Sequence, residues 1–154
     1  MTLTRISPDD VELVVTRRFD APIEEVWQSV ATSDGTTGWY GPFTREGDTA
    51  HVTMAFEEGA PVFAMQIDAC EEPTRVELSS DDFHLELRLS VVDDETEVSL
   101  VHHLVDPALA AMFGPGWEYY LDNLVAARTG SPLPQFDGYE SRFAALYAGL
   151  AEEL

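Results

Sequence analysis

The sequence contains no lysine. Its eight basic residues are all arginine, and 29 acidic residues outnumber them, so that the net charge is −21 at pH 7. A surface this acidic repels the phosphate backbone of nucleic acids and the anionic surface of membranes. We therefore expect neither nucleic acid nor a membrane as a partner.

Cysteine is almost absent as well, since Cys70 stands alone. One thiol cannot form an intrachain disulfide, and without a CxxC pair or clustered histidines it predicts no zinc site. No apolar run approaches the ~18 residues of a membrane span. The first 15 residues lack a basic stretch followed by a long apolar one, so we predict no secretory signal and a cytoplasmic protein.

Catalytic signatures are missing too. The sequence has no GxSxG, HExxH, phosphate-cradling glycine loop or dinucleotide fingerprint, which removes support for hydrolase, kinase and dehydrogenase functions. We assign no catalytic residue, no metal ligand and no cofactor, and we favour a protein that does no chemistry.

What is present fits one α+β domain spanning residues 1–154. Apolar and polar residues alternate over Val11–Phe19, and the same two-residue period recurs between turn signals down to residue 105, which predicts an antiparallel sheet of about six or seven strands. Helical spacing then follows, clearest over Trp117–Arg128. Residues 135–154 predict an additional C-terminal helix, and Gly114-Pro115-Gly116 predicts a bend before the long helix.

Two sequence segments carry a family resemblance. Thr16–Trp27 (TRRFDAPIEEVW) and Trp39–Pro42 (WYGP) resemble the opening signature of proteins similar to activators of the ninety-kilodalton heat-shock ATPase (AHSA-like). Glu72–Val76, Thr96–Leu100 and Gly116–Leu124 keep the family's order and spacing, so the match covers roughly residues 11–130. The resemblance implies the START-like (SRPBCC) helix-grip fold, in which a curved antiparallel sheet wraps a long C-terminal helix and leaves a cavity.

The resemblance also implies a function class. Members of the wider superfamily bind lipids, sterols or polyketides, and some cyclise polyketides. We therefore predict a carrier or sensor that holds a small apolar ligand between sheet and helix. The first alternative is a co-chaperone-type interaction domain that uses its acidic face, with a homodimer or a protein partner. The second is a cyclase or aromatase, for which His102 and Tyr120 are the best candidate polar groups.

Candidate ligand-binding residues are those whose strand or helix phase directs them inward. They are Met54, Phe56, Phe63, Met65, Leu85, Leu87, Leu100, His102, Trp117, Tyr120, Leu121 and Leu124. Trp39 and Tyr40, in a glycine-rich segment, are a candidate lid. The alternative is that these residues fill a closed core. Arg17 also falls on the inward face, where it requires a carboxylate, a ligand anion or a route to water.

Overall fold

The computed structural model describes all 154 residues, Met1–Leu154, and confirms the α+β helix-grip architecture. The strands are β1 (Thr2–Ser7), β2 (Asp10–Phe19), β3 (Phe43–Glu46), β4 (Thr49–Thr53), β5 (Val62–Glu71), β6 (Arg75–Ser79), β7 (His84–Val92) and β8 (Glu95–Leu104). The helices are α1 (Ile23–Ala31), α2 (Ser33–Thr37), α3 (Ala110–Thr129) and α4 (Tyr139–Glu152). The sheet has eight strands, more than the six or seven predicted, because β1 is mostly exposed and lacks a clear apolar alternation.

All neighbouring strands are antiparallel, and their order is β1-β2-β8-β7-β6-β5-β4-β3. The first long strand, β2, therefore lies beside the last, β8. The long helix α3 packs over β2, whereas β3 to β6 extend to the far end of the sheet. This arrangement divides the apolar face into a part under α3 and a part beyond it.

The closed core lies in the part under α3. Residues from β2, β8 and α3 interlock there, and each is at most 3% exposed: Val11, Leu13, Val15, Val98, Leu100, Leu104, Leu121 and Leu124. Trp27 of α1 belongs to the same cluster and is 4% exposed. Helix α1 is thus anchored through this side chain.

Helix α3 is continuous through Gly114-Pro115-Gly116, so this segment does not divide it into two helical pieces. A single 3-10 turn, Pro107–Leu109, leads into it. The hydrogen bond that Pro115 cannot donate is a local cost. Packing against β2 on one side and α4 on the other outweighs that cost, since tertiary contacts supply most of a helix's stability. None of the helices combines the length and the hydropathy that a membrane span requires.

Helix α4 docks on α3 through buried aromatic residues. Phe143 and Tyr147 are 8% and 0% exposed, and the Tyr147 ring lies so close to Gly114 that a Cβ there would come within 2.3 Å of it. The Tyr147 hydroxyl donates to Glu118 Oε1 at 2.6 Å, and the Tyr139 hydroxyl donates to Asp122 Oδ2 at 2.7 Å. The C-terminal segment therefore covers its own domain.

Arg17 faces the interior, as its strand phase predicts. Its guanidinium lies 2.7 Å from Glu118 Oε2 and 3.0 Å from Asp122 Oδ1. The carboxylates that Arg17 requires thus come from α3, and the same two carboxylates accept the tyrosine hydroxyls of α4. One ion-pair network joins β2, α3 and α4, which leaves Arg17 a structural role.

Candidate functional site

A cavity of about 150 Å³, partly open to solvent, lies against the part of the sheet beyond α3. It is lined by 21 residues, of which 17 are hydrophobic. One wall is the inner face of β3 to β8, and the other is formed by α1, α2, the segment Trp39–Gly41 and Trp117 of α3.

Strand alternation supplies the sheet wall. The lining strand residues of hydrophobic type are Phe43, Ala50, Val52, Phe63, Met65, Ile67, Cys70, Val76, Leu78, Leu85, Leu87 and Leu100. Ala50, Met65 and Leu100 are buried, and the remaining side chains keep part of their surface exposed. The incomplete burial of apolar side chains on an inner sheet face is what makes the space a cavity.

The opposite wall is held in place by a glycine and a tryptophan. A Cβ on Gly41 would lie 1.8 Å from the Thr53 carbonyl oxygen, so the segment Trp39–Gly41 packs its backbone directly on the end of β4. The Trp39 indole donates to the Ser29 carbonyl at 2.8 Å. Trp39 is therefore fixed to α1.

Tyr40 is the more exposed of the two candidate lid residues. Its ring stacks on Trp117, with centroids 6.3 Å apart and planes 16° apart, and lies 4.6 Å from the Tyr120 ring. Burial raises the pKa of Tyr40 to about 12, and the nearby Glu57 carboxylate adds to the shift. The cavity wall here is a neutral aromatic surface at physiological pH.

The structure brings half of the predicted site residues to the cavity, together with both lid candidates. The lining includes Phe63, Met65, Leu85, Leu87, Leu100, Trp117, Trp39 and Tyr40. Outside it, Leu121 and Leu124 lie in the closed core. Met54 and Phe56 lie in the β4–β5 loop, because β4 ends at Thr53.

His102 and Tyr120 also lie outside the cavity lining. His102 is 1% exposed, and its Nδ1 accepts a hydrogen bond from the Trp117 indole at 3.1 Å. Burial lowers the pKa of His102 to about 4, with a further contribution from His103 and His84. The neutral ring therefore serves to orient Trp117.

Tyr120 points elsewhere: its hydroxyl donates to Glu57 Oε1 at 2.8 Å. The two polar groups on which a cyclase would depend thus have separate partners. The polar members of the lining are also engaged, because Arg45 donates to the Gly47 carbonyl at 2.8 Å and the Glu86 carboxylate is hydrogen-bonded to Arg75, Arg88 and His103. The cavity can hold an apolar group, but it does not present a paired acid and base.

Several lining residues were not among those predicted from the sequence, and the reason differs from one group of residues to another. The missed set is Val30, Ala31, Thr36, Gly41, Phe43, Arg45, Ala50, Val52, Ile67, Cys70, Val76, Leu78 and Glu86. Val52, Ile67, Val76 and Leu78 alternate in phase with predicted residues, so periodicity alone could have found them. Phe43 and Ala50 belong to a hairpin too short to show a period.

The sequence matches the family model of activator of Hsp90 ATPase homolog 1-like proteins over residues 20–128, well over half of the chain. None of the curated proteins matches this sequence.

Solved structures resemble the whole fold. The chain is 23% identical to CalU16 from Micromonospora echinospora, with a TM-score of 0.76, covering 98% of this chain and 95% of that one. It is 14% identical to EF2215 from Enterococcus faecalis, with a TM-score of 0.73 and coverages of 97% and 91%. It is 19% identical to DynU16, a protein in the dynemicin biosynthetic locus, with a TM-score of 0.67 and coverages of 81% and 50%. At these identities the likeness establishes the fold alone.

Proposed function

The chain belongs to the family of activator of Hsp90 ATPase homolog 1-like proteins, and on that premise we propose that it binds a small apolar molecule in the cavity between sheet and helices without transforming it. The observation that carries the proposal is the lining, in which 17 of 21 residues are hydrophobic. Concave sites with mostly apolar walls are the usual small-molecule sites.

The volume of the cavity limits the size of the ligand that it can enclose. An apolar cavity of roughly 150 Å³ holds one benzene molecule, and this cavity has about that volume. A single ring or a short branched chain fits inside, and a larger ligand must extend through the open side. A sterol could insert only one end.

The aromatic residues of one wall favour an aromatic group. Tyr40 and Trp117 present stacked rings, and aromatic faces prefer offset stacking with other rings. Polyketides are among the ligands that the family resemblance implies, so aromatic polyketides belong among the ligands to be tested.

The proposal is tested by titrating aromatic polyketides, fatty acids and sterols while recording tryptophan fluorescence, because Trp39 and Trp117 line the cavity. At least one compound should quench saturably and raise the melting temperature, since a ligand that prefers the folded state stabilises it. Leu87→Trp should abolish binding by filling the space. Ser90→Trp, which adds the same bulk at an exposed position of β7, should bind as the wild type does. A panel without a single saturating compound would contradict the proposal.

A protein partner is the second candidate, and the family description favours it. The net charge of −21 would direct such a partner's basic surface toward this chain. Stimulation of Hsp90 ATPase activity by the isolated chain, lost at high salt and unaffected by Leu87→Trp, would support this candidate over the ligand carrier.

A further inference from the structure

The outer face of the sheet, opposite the cavity, assembles side chains that are far apart in the sequence. Glu12 of β2 pairs directly with His103 of β8. Glu86 of β7 pairs with Val101, two residues from His103 on the same face. We name Glu12, Glu86 and His103 the outer-face cluster.

The donor atoms of the outer-face cluster converge. One ligand atom from each residue lies within 4.8 Å of the other two, and His103 Nε2 is 2.7 Å from Glu86 Oε2. A tetrahedral Zn²⁺ with ligands at about 2.0–2.2 Å holds them roughly 3.4 Å apart, so the farthest pair must close by at most about 1.4 Å. Rotation of the carboxylate side chains covers that distance.

A second carboxylate orients the histidine. Asp10 Oδ1 lies 3.0 Å from His103 Nδ1, which leaves Nε2 directed toward Glu86 and Glu12. Histidines that ligate metals usually donate their other ring N–H to a carboxylate, which fixes the tautomer and the orientation of the ring. Asp10 and His103 already have this arrangement.

We propose that the outer-face cluster binds one divalent transition-metal ion, through His103 Nε2 and a carboxylate oxygen from each of Glu12 and Glu86. One imidazole nitrogen with two carboxylates suits Zn²⁺, Co²⁺ or Ni²⁺ and has no thiolate that would select softer ions. The net charge of −21 raises the local concentration of cations. The site shares only Glu86 with the cavity lining, and a metal titration of the chain does not require the ligand proposal to hold.

Glu86 is the least accessible member of the cluster, at 4% exposed. Its carboxylate accepts hydrogen bonds from Arg75, Arg88 and His103. Arg75 Nε, 2.9 Å from Glu86 Oε1, holds one carboxylate oxygen, so that Oε2 is the oxygen nearest to His103.

Arg88 is the competitor of the metal. One guanidinium nitrogen lies 2.6 Å from Glu86 Oε2 and 3.1 Å from Glu12 Oε2, so it uses the same two carboxylates. The Arg88 side chain is 44% exposed and can turn out to solvent. Metal binding must displace this guanidinium and must release to solvent the Nε2 proton that His103 donates to Glu86. Removing the guanidinium should therefore tighten binding.

No short spacing of potential ligands marks this metal site in the sequence. The members of the outer-face cluster are separated by 74 and 17 positions, and strand register alone brings them together. No spacing rule detects a site of this kind before the strand order is known.

The test uses the tag-free chain, titrated with Zn²⁺ by calorimetry and with Co²⁺ by visible absorption. We expect one equivalent to bind, and we expect His103→Gln to weaken binding by about tenfold or more, the usual cost of losing a coordinating or supporting group. Arg88→Met should bind more tightly than the wild type. His51→Gln, which alters an exposed histidine paired with Glu46 at 3.7 Å, is the matched control and should change nothing.

Two results would overturn the proposal. The first is a wild-type chain that does not bind either ion at millimolar concentration, which would show that Arg88 holds the carboxylates permanently. The second is equal loss of affinity in His51→Gln and His103→Gln, which would show nonspecific binding to surface groups. The gain expected in Arg88→Met keeps the test decisive even if His103→Gln folds poorly.

Discussion

The two ends of the sheet carry the same alternation of apolar and polar residues but bury it to different extents. Under α3, Val11, Leu13 and Val15 of β2 are 0% exposed. Beyond α3, inward residues such as Phe63 and Leu87 keep part of their surface accessible and line the cavity. The alternation specifies which side chains face inward, whereas the covering element decides whether they form a core or a site.

The physical reason lies in the shapes of the two layers. An eight-stranded sheet accumulates right-handed twist from strand to strand. Helix α3, in contrast, packs mainly over one strand, β2. The strands farthest from β2 therefore turn away from the helix. Helices α1 and α2, the segment Trp39–Gly41 and Trp117 cover the resulting gap.

The largest expected effect comes from truncating a large aromatic in the covered region. Trp27→Ala should destabilise the protein by roughly 3–5 kcal/mol, because it removes a buried aromatic and leaves a void. Phe63→Ala, in the cavity wall, should cost only about 1 kcal/mol, because its side chain is already partly solvated. Denaturant unfolding of both variants measures the difference, and equal losses would mean that the two regions are packed alike.

The contact between α3 and α4 allows a tightly packed position to be compared with an open one in the same helix. Gly114→Ala places a methyl group against the Tyr147 ring, within 2.3 Å, and overpacking of this kind costs typically about 1–3 kcal/mol. Gly116→Ala meets nothing within 4 Å and should stabilise the helix by about 0.5–1 kcal/mol. Thermal melts of the two variants should move in opposite directions. Matching shifts would contradict the close packing of α4.

A smaller effect is expected where the two regions are joined by one hydrogen bond. Tyr120 of α3 donates to Glu57 in the β4–β5 loop at 2.8 Å, and Tyr120→Phe should cost about 0.5–1.5 kcal/mol. Glu57→Gln keeps an acceptor oxygen and should cost less. The rate of amide hydrogen exchange in residues 54–60 should increase more in Tyr120→Phe than in Glu57→Gln. Unchanged exchange in both variants would show that the hydrogen bond does not hold the loop.

The sequence predicted which residues face inward better than it predicted which of them line a site. Phe63, Met65, Leu85 and Leu87 follow from the two-residue period alone. Leu121 follows the helical period equally well, yet it lies in the closed core, because the period of a helix does not reveal which strands lie beneath it. The assignment requires the strand order, which depends on contacts between residues distant in the sequence.

Other errors have local causes. Met54 and Phe56 continue the phase of Val52, but β4 ends at Thr53 and a turn follows over residues 55–59, so neither residue belongs to the sheet wall of the cavity. The pairing of Arg17 was predictable because an inward charge on a strand must find a partner. Its partners, on α3, were not.

The most direct test of the difference between the two regions is a crystal structure determined under xenon pressure, because xenon enters apolar cavities without needing a specific ligand. Xenon should occupy the cavity, in contact with Phe63, Met65 and Leu87, and should be absent from the interface between α3 and β2. Xenon at neither place, or between α3 and β2 instead, would contradict a molecule with one packed region and one binding region.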